Sequence, residues 1–214
     1  MSLIVEETKG VELIDEGVYM AVCKSVIDIG GQYSEMYKKV NKKVVVIWEI
    51  PSLIATDKDG NEYARTISKE YTASLNERGN LTKDLNAWRG KAFTPEELKG
   101  FDLKNIIGVG CQLQIIHTTK NDKPRQNIGA IMALPKGMKV AAKDLPYYFD
   151  MDDPNTWANY QKIPEWICKK IESSENFNGS ELQKFIISMP GKEAGAENSN
   201  NGFMEVPEDP NMPF

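Results

Sequence analysis

Between residues 33 and 71 the sequence gathers aromatic rings and basic side chains at close spacing. Tyr33 and Tyr37 lie beside Lys38, Lys39, Lys42 and Lys43, and Trp48 follows. Farther on, Arg65, Lys69 and Tyr71 share one parity with Tyr63 and Ile67, so in a strand they project from a single face. Lys120, Lys123 and Arg125 form a third basic group. Cationic groups neutralise phosphates and flat rings accept bases, each stacked base being worth roughly 1–3 kcal/mol. Together these residues suit the grip on an unpaired polynucleotide, with no bond made or broken. The blander account makes the lysines solvated surface and places Trp48 and Tyr71 in a core. Val44 and Val46 share the parity of Trp48, which leaves that ring open between the two readings. Trp88 is expected to plug the core from a helix.

Residues for covalent, acid–base or metal chemistry do not gather in the same way. His117 is the one histidine and has no Cys or His at ligand spacing. Gly108-Val109-Gly110 starts like a dinucleotide-binding turn, but Leu113 stands where the third glycine belongs, and a strand follows. Asp57, Asp59 and Asn61 imitate a calcium loop, with Gly60 two places early. Gly90-Lys91 lacks the upstream glycine of a phosphate-binding loop. Cys23, Cys111 and Cys168 are odd in number and far apart, which points to free thiols in a reducing compartment. No catalytic residue, cofactor or metal site is expected, and the chain is read as not an enzyme.

The elements that must position the basic and aromatic groups are mostly strands. Residues 17–29, 44–50 and 62–72 are β-branched and aromatic runs, with Gly30-Gly31 expected to break the first and Pro51 to stop the second. Asp57 to Gly60 supplies a turn between the second and third. Leu81, Leu85 and Trp88 fall on one face of a helix over 82–89. Thr94-Pro95-Glu96-Glu97 is a capping box that opens a second short helix over 95–99. Residues 108–118 and 125–134 are the last two strands, joined by a polar hairpin over 119–124. The order β-β-β-α-β-β is that of an OB-fold, a mainly β, five-stranded Greek-key barrel with a helical insert between strands 3 and 4. Residues 145–149 are aromatic and fit docking on the barrel. Short amphipathic helices are expected over 164–171 and 180–187. From 189 onward the composition is too polar to offset ordering entropy, so a flexible tail is expected. The domain reading is therefore 1–140 barrel, 141–188 helical extension and 189–214 acidic tail.

Charge is divided along the 214 residues, whose formal net charge is −5. Residues 17–140 carry 19 Lys and Arg against 13 Asp and Glu, whereas 141–214 carry 6 against 13. A basic body implies an anionic partner, and an acidic end implies a basic one. The acidic N-terminus lacks the pattern of a secretory signal and no stretch is apolar enough to span a bilayer, so a cytoplasmic location is expected.

The chain ends in Glu205-Val206-Pro207-Glu208-Asp209-Pro210-Asn211-Met212-Pro213-Phe214. This end resembles the acidic tip of bacterial single-stranded DNA-binding proteins. Met212 stands where an Ile or Leu is usual there, and only Glu208 and Asp209 are contiguous acids. Residues 44–51 and the WRGKAF run over 88–93 resemble phage-type members of the same class, a similarity covering about residues 15–137. The resemblance implies largely sequence-independent binding of single-stranded DNA in phage or mobile-element replication or recombination. It also implies that Glu208, Asp209, Met212, Pro213 and Phe214 recruit replication or recombination proteins, and it allows a homo-oligomer. The alternative is a phage structural or adaptor protein that uses a similar barrel for protein contacts.

Overall fold

The structure, a computed structural model, describes residues 12–189 apart from Met36, Asn121 and the side chain of Lys120. Strands β1 (Gly17–Ser34), β2 (Lys39–Thr56) and β3 (Glu62–Thr72) form a meander. Helices α1 (Asn80–Arg89) and α2 (Pro95–Leu98) follow, then β4 (Gly110–Lys120) and β5 (Lys123–Met132). Strand β6 (Tyr147–Phe149) leads through a 3-10 segment, Pro154–Lys162, to α3 (Glu165–Glu172) and α4 (Glu181–Ser188). The sheet order is β3-β2-β1-β4-β5, all antiparallel, and β6 adds to β1 in parallel.

Strand β1 serves two partners in succession. Its first residues pair with β4 as far as Val22, and from Val22 onward it pairs with β2. The sheet curls so that β3 and β5 approach each other, and α1 packs against both. Inside lies one apolar core built around Trp48, Leu85, Trp88, Leu113, Ile115 and Ile131. Trp88 is 6% exposed and its indole N–H donates to the Gly110 carbonyl at 2.9 Å, so the helix does plug the core. The capping box is formed, with Thr94 accepting from the Glu97 N–H and Glu97 accepting from the Thr94 N–H.

Two expected breaks do not occur. Gly30 does not end β1; it takes φ +71° at a bulge, and the strand resumes pairing at Gly31. A Cβ there would lie within 2.8 Å of Asn176, Met151 and Ser174, so glycine serves close packing as well as the bend. Pro51 does not stop β2 either. It sits in the irregularity between Ile50 and Ile54, where no ladder N–H is needed, and pairing continues to Thr56.

The segment after 140 covers the outer face of the sheet. Ile27, Ile29, Val45 and Ile47 share a second core with Phe149, Tyr160, Ile167 and Ile171, among others. Two of its helical segments start on side-chain caps: Ser180 accepts from the Gln183 N–H, and Asp153 from the Asn155 N–H. All three cysteines are free and buried. Burial raises the Cys111 thiol to about 12, and raises Cys23 as well. Among the described residues no helix is long and apolar enough to cross a membrane.

Candidate nucleic-acid interface

Past the end of β3, β1 and β2 continue alone as a two-stranded ribbon. Gly31, Gln32, Tyr33 and Ser34 pair with Lys42, Asn41, Val40 and Lys39. The turn at its tip holds Lys38 in the left-handed region, at φ +50°. With no third strand to bury it, the ribbon leaves Tyr33 54% and Tyr37 67% exposed. Lys38 and Lys39 are exposed beside them, and the Lys39 ammonium lies 6.0 Å from the centre of the Tyr37 ring.

A cleft of about 590 Å³ opens between this ribbon and the loop that leads into α1. Tyr37, Lys39 and Lys43 line one side, and Arg78 lines the other. The loop is held to the ribbon base by the Ala73 N–H donating to the Lys42 carbonyl at 2.8 Å. Within it, Ser74 Oγ accepts from the Asn76 N–H and Asn76 Oδ1 accepts from the Arg78 N–H at 2.9 Å. These local bonds fix the backbone that presents Arg78. Glu70 at the cleft wall pairs with Lys43 at 2.6 Å and with Lys170 from α3. Burial opposes ionisation of Glu70, but the hydrogen bonds from Lys170 and Lys43 outweigh it and hold its pKa below the ordinary carboxylate value. Among the described residues no carboxylate pairs with Lys38, Lys39 or Arg78. Their charge is free for an anionic ligand.

The structure thus brings Tyr37, Lys39 and Lys43 together, with Tyr33 and Lys38 on the same ribbon. Lys42 has another task. It pairs with buried Asp28 at 3.0 Å and with Asp152 at 3.2 Å, which ties the ribbon base to the C-terminal segment. Carboxylate oxygens of Asp28, Asp150 and Asp152 lie within 4.8 Å of one another, and the Lys42 ammonium supplies a positive charge there.

Four sequence-derived positions are corrected. Trp48 and Tyr71 are 1% and 3% exposed, inside the core; Tyr71 also borders the ribbon cleft, but with so little of it exposed neither ring offers a face to a base. The Tyr71 hydroxyl donates to Asp84 on α1 at 2.7 Å. Lys69 pairs with that same carboxylate at 2.7 Å, and the Arg65 guanidinium donates to the carbonyls of Glu12 and Leu13. Arg65, Lys69 and Tyr71 do share a face, but it points inward, towards α1 and the N-terminal segment, whereas Tyr63, past the irregularity in β2, is 48% exposed. Lys123 and Arg125 are exposed at the β4–β5 hairpin, at the opposite end of β1 from the ribbon. Lys120 pairs with Lys123 in that hairpin. Glu208, Asp209, Met212, Pro213 and Phe214 lie outside the described residues.

Arg78 escaped sequence reading because it sits in a polar loop with acidic Glu77 beside it and no aromatic neighbour. His117 is structural: its Nε2 lies 2.7 Å from the Ile14 carbonyl, which can only accept, so Nε2 carries the proton. No protein-family model matches the chain, and no curated protein is significantly similar to it.

Proposed function

We propose that this chain binds single-stranded DNA without catalysing a reaction, on an OB-type barrel, in phage or mobile-element replication or recombination. The observation that carries the reading is the cleft in which Tyr37, Lys39, Lys43 and Arg78 face one space. An exposed ring beside the unpaired Lys39 and Arg78 suits the stacked bases and spaced phosphates of an unpaired strand. The strand order β3-β2-β1-β4-β5, with a helix inserted between β3 and β4, supports the OB-type assignment. Binding of this kind is largely indifferent to sequence, because every base has a stacking face and every nucleotide a phosphate. The acidic C-terminal residues, with Pro213 and Phe214 last, serve in this reading to recruit basic partner proteins.

The test is a titration of single-stranded against duplex DNA at two salt concentrations. Preference for the single strand, weakening as salt rises, supports the proposal. Failure to bind oligo-dT at low salt removes it and favours an adaptor that uses the barrel for protein contacts.

A further inference from the structure

We propose that the C-terminal segment forms part of the nucleic-acid site, with an unpaired strand running along the outer face of β3, over the Lys170–Glu70 bridge, and stacking a base on Trp166. This rests on the single-strand reading above and extends it to residues outside the barrel strands.

Alternate residues of β3 mark the route. Glu70 and Thr72 line the cleft at the ribbon, and Thr66 and Ser68, on the same face of the strand, line a second depression. Gln126, next to Arg125 at the β4–β5 hairpin, closes that depression on one side, and Pro164 and Trp166 of the C-terminal segment close it on another. Beyond Thr66 it adjoins a third hollow of about 600 Å³, where Lys24, Lys143 and Lys162 face a single aspartate, Asp144. Lys24 is held by Glu49 and Asp144, whereas Lys143 and Lys162 make no ion pair among the described residues. The outer face of β3 therefore carries cations at both ends and an indole between them. A polyanion with planar bases is complementary to that order of groups.

Trp166 is unlike the other tryptophans. Trp48, Trp88 and Trp157 are 1%, 6% and 8% exposed, whereas Trp166 is 47% exposed on a helix whose other apolar residues, Ile167, Cys168 and Ile171, are buried. Helix packing does not account for an indole turned outward. Lys170 reaches from the Trp166 ring, 5.9 Å from its centre, to Glu70 at the cleft, so the two depressions share a wall.

The experiment uses the full chain, labelled oligo-dT and two readouts, anisotropy for affinity and intrinsic tryptophan fluorescence for stacking. Oligo-dT should quench the wild-type emission, because the one exposed indole lies on the route. Trp166→Phe should lose most of that quench while keeping affinity close to wild type, since a ring remains. Trp166→Ala should bind about 5- to 150-fold more weakly, with an unchanged urea midpoint. Wild-type affinity in Trp166→Ala, or a full quench in Trp166→Phe, overturns the proposal while leaving the ribbon cleft in place. Absence of any oligo-dT binding by the wild-type chain overturns both readings together.

Discussion

Trp48 and Trp88 meet inside the curled sheet with ring centres 5.9 Å apart and planes tilted by 51°. One comes from β2 and one from α1, so the pair fixes how the helix seats against the strands. Trp88 has an acceptor for its indole N–H in the Gly110 carbonyl; the Trp48 N–H is buried with none among the described residues. Trp48→Ala should cost about 3–5 kcal/mol through reduced burial and the cavity left behind. Trp48→Phe should cost much less, because it also removes an unpaired buried donor, a penalty of roughly 1–3 kcal/mol. Urea denaturation reads the first effect. Oligo-dT affinity of the Phe variant should equal wild type, and a loss at unchanged stability would return Trp48 to the binding surface.

The ribbon lysines should divide into two kinds. Lys42→Gln removes the cation from buried Asp28 and should destabilise the fold by roughly 1–3 kcal/mol, less than for a fully buried pair because Lys42 is half exposed. Lys39→Gln combined with Arg78→Gln removes two unpaired charges and should change stability by no more than about 0.5 kcal/mol. The double variant should bind oligo-dT more weakly at every sequence. Its log affinity against log salt should flatten by about 0.7 for each phosphate that the variant no longer neutralises. Unfolding midpoints and salt-series titrations distinguish the two groups.

Glu70 sets an acid limit on the junction between the cleft and α3. Its folded pKa lies below that of the unfolded chain, about 4.3 for Glu. The stabilisation is therefore fully present above the unfolded value and is lost as pH falls through the folded one. Glu70→Gln should lower stability by a constant amount above about pH 5.5, and that difference should close as pH falls through the folded value. A difference that persists unchanged at low pH would mean that the links to Lys43 and Lys170 contribute no charge-dependent stability.

Much of the sheet is legible in the sequence because β-branched runs and turn residues report local geometry directly. The strand cores, the turn at Asp57 to Gly60, the capping box at Thr94 and both C-terminal helices stand within a few residues of their expected bounds. What escapes is which face is covered. Residues 44–48 are apolar without alternation, and that is the mark of a strand buried on both sides. Val44, Val46 and Trp48 face the inner core, and Val45 and Ile47 face the C-terminal segment. Parity alone groups Arg65, Lys69 and Tyr71 but does not say whether their shared face is wet. Gly30 and Pro51 look like terminators because sequence reading weighs their usual roles, whereas a bulge tolerates both. The ribbon's exposed tyrosines and lysines are legible as one group, since they are close together in the chain. Arg78 meets the ribbon from the loop after β3, and Trp166 meets β3 from α3, so only folding brings them to these places.

The short strand β6 bonds to Ser25, Val26 and Ile27, just beyond the point where β4 parts from β1. It fills a vacancy in the sheet and brings the lid over Ile27, Ile29, Val45 and Ile47 with it. A fragment cut at residue 140 would not be a miniature of this protein. It would display a raw backbone rim beside bare aliphatic side chains, a template on which a second copy can grow. Precipitation of such a fragment would report the missing lid and leave the curled sheet unjudged, so dissection of this chain into working parts should begin after Met189.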